Sequence, residues 1–91
     1  MPITRDAIRR AVNEEDIEGL IRMGSPSDEY EAEINKIGGD PRLQAQDLTQ
    51  DQVTIVVKDV WQEMFGPFPE EELLSRKPAI DRVAQKIMDN K

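Results

Sequence analysis

"TQDQVTIVVKDVWQEMF", residues 49 to 65, carries two signals that disagree. The run "VTIVV" at 53–57 is β-branched throughout, and such residues favour strands. Over the full stretch, however, Val53, Val56, Val57, Val60, Trp61 and Met64 fall at i, i+3, i+4, i+7, i+8 and i+11, one face of a helix. No partner strand is visible elsewhere, and a lone strand has nothing to pair with. Thr49 with Gln52 three residues on adds a capping-box start signal. The stretch therefore reads as helix.

The same punctuation recurs outward in both directions. Thr4 is an N-cap candidate for a first helix with Ala7, Ile8, Ala11 and Val12 on its apolar side. Asp16 is placed to cap a short second helix through Ile17, Leu20 and Ile21, ending near Gly24. A third starts at Ser25 or Ser27, tolerates Pro26 in its first turn and stops at Gly38-Gly39. Asp40-Pro41 then prevents a helix from running on. After "FGPF", Pro69 opens another helix with Glu70, Glu71 and Glu72 at its positive end. Pro78 restarts the chain into a last amphipathic segment with Ile80, Val83, Ala84, Ile87 and Met88. The expectation is an all-α fold, a compact bundle of four to five short helices forming a single helical domain over residues 1–91.

Composition narrows the chemistry. The chain has 91 residues, no cysteine and no histidine. Disulfides, thiolate or imidazole metal sites, thiol nucleophiles and histidine-based acid/base schemes are thereby excluded. A chain this short buries about 60–65% of its unfolded surface, enough for one core. No apolar stretch is long enough for a transmembrane helix, and "MPITRDAIRR" lacks the apolar region of a signal peptide, so a cytoplasmic protein is expected. The net charge of −7 is concentrated. Residues 14–33 hold eight carboxylates against Arg22 alone, whereas residues 1–13 are net basic through Arg5, Arg9 and Arg10. Such a field repels nucleic acid and anionic membrane and attracts a basic protein surface.

Within that acidic part, "GSPSDEYEAEINKI" (24–37) decides whether the acids form a device. On a helix over 27–37, Tyr30, Ile34 and Ile37 make one inward stripe. Asp28 and Glu31 then flank it on one side, and Glu29 and Glu33 on the other beside Lys36. Carboxylates that straddle a stripe do not converge, as a metal site or an acid/base pair requires. Helix-start electrostatics for Asp28 and Glu29, a Glu33–Lys36 pair and a Tyr30 hydroxyl reaching the rim account for most of the stretch. No metal, cofactor or catalytic residue is assigned.

The segment "DIEGLIRMGSPSDEYEAEINKI" with the later "VVKDVWQEMFG" is similar to a small bacterial family of unknown function. Its pattern runs D-P-x-G-L-x-x-x-G-A-P-x-D-E-Y-x-x-E-I, followed by a helix ending in a W-F-G or F-G turn. Asp16, Gly19, Leu20, Gly24, Pro26, Asp28, Glu29, Tyr30, Glu33, Ile34, Phe65 and Gly66 match it, while Ile17 and Ser25 replace its proline and alanine. The resemblance implies a compact helical fold; some related small acidic proteins look like immunity proteins, but the family has no settled activity to carry over.

The leading functional expectation is a non-enzymatic module whose acidic face neutralises a basic protein partner, an immunity protein against a cationic nuclease toxin being the concrete form. Its partner-binding candidates are Glu14, Glu15, Glu18, Asp28, Glu29, Tyr30 and Glu33. The alternative is a self-associating structural or regulatory subunit, a homodimer through the helix 53–65 with Ile55, Trp61 and Phe65 as the patch. A carboxylate-based enzyme or metal binder is the third class.

Overall fold

A computed structural model describes residues 3–24 and 28–90. Four α-helices occur among them: α1 (Arg5–Glu15), α2 (Glu31–Gly38), α3 (Gln50–Phe65) and α4 (Glu70–Asp89). A 3-10 turn over Pro41–Gln44 lies between α2 and α3, and the described residues contain no strand. The helices close a ring, with α1 on α2, α2 on α3, α3 on α4, and α4 back on α1. The all-α expectation holds.

The start signals work as the sequence implies. Thr4 Oγ1 accepts the Ala7 N–H at 3.1 Å. At α3 the capping box is complete: Thr49 Oγ1 accepts the Gln52 N–H at 3.3 Å, and Gln52 Oε1 accepts the Thr49 N–H at 2.8 Å. Val53, Val56, Val57, Val60 and Trp61 are buried along one face of α3. They meet Ile8 and Val12 of α1, Ile34 and Ile37 of α2, and Ile80, Val83 and Ile87 of α4 in one hydrophobic core. Trp61 sits at its centre, with ring centroids 5.7 Å from Tyr30 and 5.1 Å from Phe65. The turn into α4 needs its glycine: a Cβ on Gly66 would come within 2.7 Å of the Gln62 carbonyl oxygen.

Three expectations are corrected. The short second helix is absent, and residues 17–24 run as successive turns with Gly19 and Gly24 at positive φ. Asp16 ends α1 in the left-handed region (φ 46) rather than starting a new helix. Side chains satisfy the backbone donors that a helix would have used. Asp16 accepts the N–H groups of Ile21 and Arg22, and the Tyr30 hydroxyl accepts those of Glu18 and Leu20.

α2 is also shorter than expected. Residues 28–30 form a turn, Tyr30 is the N-cap, and the expected start at Ser25 or Ser27, with Pro26 in the first turn, lies outside the described residues. The stop at Gly38-Gly39 is where the sequence puts it. Finally, Pro78 does not restart the chain: α4 runs unbroken from Glu70 to Asp89. Pro78 lies on the exposed side, while Ile80, Val83, Ala84 and Ile87 stay in one buried phase. Burial of that stripe outweighs a proline penalty of about 3 kcal/mol.

Candidate docking surface

The seven acidic-face candidates separate into two groups. Tyr30, Ile34 and Ile37 turn inward together, each fully buried. The Tyr30 hydroxyl does not reach the rim; it donates to Asp16 Oδ1 at 2.6 Å in a buried bond. Burial and the neighbouring Asp16 carboxylate push the phenol well above its ordinary range. For Asp16 itself, burial pushes its carboxyl up. Bonds from Tyr30, Arg22 and Ile21 outweigh that and hold it below the usual carboxylate value. The tyrosine therefore buckles α2 to the turns of residues 16–22 from within.

Glu15 and Glu18 are spent on α4. Glu18 accepts Arg76 through both oxygens, at 2.7 and 2.8 Å, and the Trp61 Nε1–H at 2.8 Å. The guanidinium holds its carboxyl below the ordinary value against the opposing effect of burial. Arg76 also stacks over the Phe68 ring, 4.0 Å from its centroid. Glu15 accepts Arg82 at 2.8 Å and pairs with Lys86 at 2.8 Å. Burial raises its carboxyl, but the two cations prevail and lower it. Glu31 is likewise held by Arg9 in a two-point contact of 2.8 and 2.9 Å.

Glu33 is buried, 4% exposed, and among the described residues it makes no ion pair. Lys36, its expected partner, reaches Glu63 on α3 instead, at 2.8 Å. Burial pushes the Glu33 carboxyl up, with Glu29 adding to the shift against the helix N–H. Only Glu14, Asp28 and Glu29 remain exposed, and Glu14 pairs with Lys86 at 3.1 Å. Among the described residues no three acidic side chains gather closely enough to hold a metal ion.

The self-association patch separates in the same way. Trp61 is fully buried and Phe65 half-buried against the core, while Ile55 is 46% exposed. Ile55 borders a groove of about 300 Å³ between α3 and α4, lined by Thr54, Ile55, Lys58, Leu73, Leu74, Lys77 and Ile80. Leu74, on the opposite wall, is 58% exposed. On its other side Ile55 borders a second depression of about 230 Å³ with Arg42, Ala45 and Gln52. The sequence flagged Ile55, since it points away from the α3 stripe. Leu74 carries no such signal in the sequence: Pro78 implies a break, whereas in the structure Leu73, Leu74, Lys77 and Ile80 share one side of the unbroken α4.

The chain matches no protein-family model, no curated protein and no solved structure. The groove must therefore be read from its own chemistry. Its floor is aliphatic, and its charged lining residues, Lys58 and Lys77, are cationic. No helix among the described residues is long and apolar enough to cross a membrane.

Proposed function

We propose that this protein is a non-enzymatic protein-binding module that docks a partner through the groove between α3 and α4. The observation that carries the reading is the pair Ile55 and Leu74. Two large aliphatic side chains stand exposed on facing helices, with an apolar concavity between them. Water contact over such a surface is unfavourable, and covering it releases about 25 cal/mol for each Å² of apolar area buried. A concavity of this size accepts one or two side chains from a partner.

The acidic-face reading, with a basic partner and an immunity-like role, is supported by the exposed pair Asp28 and Glu29 alongside Glu14. It has a narrower base than seven residues, since Glu15, Glu18, Tyr30 and Glu33 face inward or into ion pairs. In-cell photo-cross-linking separates the two surfaces. A photoreactive residue at position 55 or 74 is expected to give a heterologous adduct that one at 28 or 29 does not. An adduct formed only from 28 or 29, with affinity that falls steeply with salt, makes the acidic face the docking surface instead.

A further inference from the structure

We infer that residues 17–24 form a strap that lifts off as a unit while the four helices stay folded. Opening uncovers the Trp61 indole and the Arg76 guanidinium, to which Glu18 fastens the strap. The inference does not depend on the groove between α3 and α4.

The strap is held differently from the helices around it. None of residues 17–24 is buried, whereas α1, α2, α3 and α4 each bury a stripe of side chains. Ile17, Leu20 and Ile21 pack half-buried against the core, and Arg22, Met23 and Gly24 are exposed. The amides of Glu18, Leu20, Ile21 and Arg22 end on the side chains of Tyr30 and Asp16 instead of in a helix ladder. Among the described residues, the strap's polar ties to α3 and α4 all run through the Glu18 carboxylate. A segment with so few buried apolar contacts and no regular ladder opens at a lower free energy than the core beneath it.

What lies under this latch is built without it. Trp61 is set in the core by Tyr30 and Phe65. Arg76 is held by the Phe68 ring and by the Glu72 carbonyl, which its Nη1–H reaches at 3.1 Å. The Tyr30–Asp16 bond also joins residues outside the strap. Release of Glu18 therefore leaves the helices in place and bares a positioned guanidinium beside an indole N–H. Charge-assisted bonds to Glu18 cover those donors in the closed form.

Native-state hydrogen exchange followed by NMR tests this on the intact protein, because Trp61 carries two exchangeable protons in different surroundings. Its backbone amide belongs to α3, and its indole N–H ends on Glu18. Corrected for intrinsic rates, the indole proton should share one protection factor with the amides of Glu18, Leu20, Ile21 and Arg22. That factor should be at least about tenfold lower than for the α3 amides, Trp61's own included. Ile37→Val, in the buried core, should speed the α3 amides about fivefold and leave the strap set unchanged. Glu18→Gln keeps the shape, weakens the latch and should speed the strap set about tenfold. If the strap set keeps pace with α3 and follows Ile37→Val, the strap belongs to the global unit and the inference fails. An indole proton that stays with the α3 amides while the strap amides exchange early means fraying that leaves Trp61 covered, which overturns it as well. A strap set unmoved by Glu18→Gln overturns the latch.

Discussion

Replacing Tyr30 by phenylalanine removes one oxygen and disturbs three partners. That oxygen donates to Asp16 and accepts from the amides of Glu18 and Leu20, at 2.6, 3.2 and 3.4 Å. The site is buried, so water does not replace the lost bonds without cost, and leaving such groups unpaired costs about 1–3 kcal/mol. Tyr30→Phe should therefore lose about 2 kcal/mol in urea unfolding followed by the fluorescence of Trp61, the only tryptophan. Glu29→Ala, at the neighbouring position in the same acidic block yet exposed, should stay within about 0.5 kcal/mol of the parent. The inward turn of Tyr30 was legible from its spacing to Ile34 and Ile37. The destination of its hydroxyl was not, because Asp16 belongs to a turn that no periodicity describes. The partners of Glu15 and Glu18 were hidden for a related reason: Arg82 and Arg76 lie 67 and 58 residues away. Charge runs are visible in a sequence; their neutralisation from a distant helix is not.

At the scale of elements, local grammar decided the boundaries it controls. The Thr49–Gln52 box, the Thr4 cap and the glycine stop of α2 involve atoms within a few residues, so reading them needed no tertiary knowledge. The failures lie where tertiary forces override local preference. Residues 16–24 have helical apolar spacing, but a carboxylate and a phenol take up their amides and hold them as turns. In α4 the override runs the other way, since packing carries the helix through Pro78. Proline has no N–H, so the Leu74 carbonyl is deprived of its usual donor four residues on. Pro78→Ala restores that bond at an exposed position. Interior proline costs about 3 kcal/mol relative to alanine, and the freer unfolded chain returns up to about 1 kcal/mol of that. The variant should be stabilised by about 2 kcal/mol in thermal or urea unfolding. A destabilised variant would show instead that the proline sets a bend that the packing of α4 on α1 and α3 requires.

Over the whole molecule, the concentrated acidity serves largely as fastening. Glu14, Glu15 and Glu18 bind Lys86, Arg82 and Arg76 along α4, and Glu31 binds Arg9 of α1, so the acidic fifth of the chain closes the ring of helices. These contacts set how stability follows pH. The carboxyls of Glu15, Asp16, Glu18, Glu31 and Asp40 lie below their ordinary values in the folded protein. A lowered folded value means the stabilisation is complete above the unfolded value, about 4, and is lost as pH falls through the folded one. Glu33 has the opposite sign. Burial raises its carboxyl, so the folded state favours the protonated form, and the penalty for ionising it is fully present at neutral pH. That penalty disappears once pH falls below about 4, where the unfolded chain is protonated as well. Urea midpoints from pH 7 to pH 3 should therefore show a neutral plateau and a decline below about pH 4 in the parent protein. Glu33→Gln removes the ionisation and keeps the shape, so it should be more stable than the parent at pH 7. The two curves should converge as pH approaches 4, because only the parent gains a proton at this position. A Glu33→Gln variant less stable than the parent at pH 7 would mean that the ionised carboxylate holds a partner in the folded protein. Burial would then not be what governs the group.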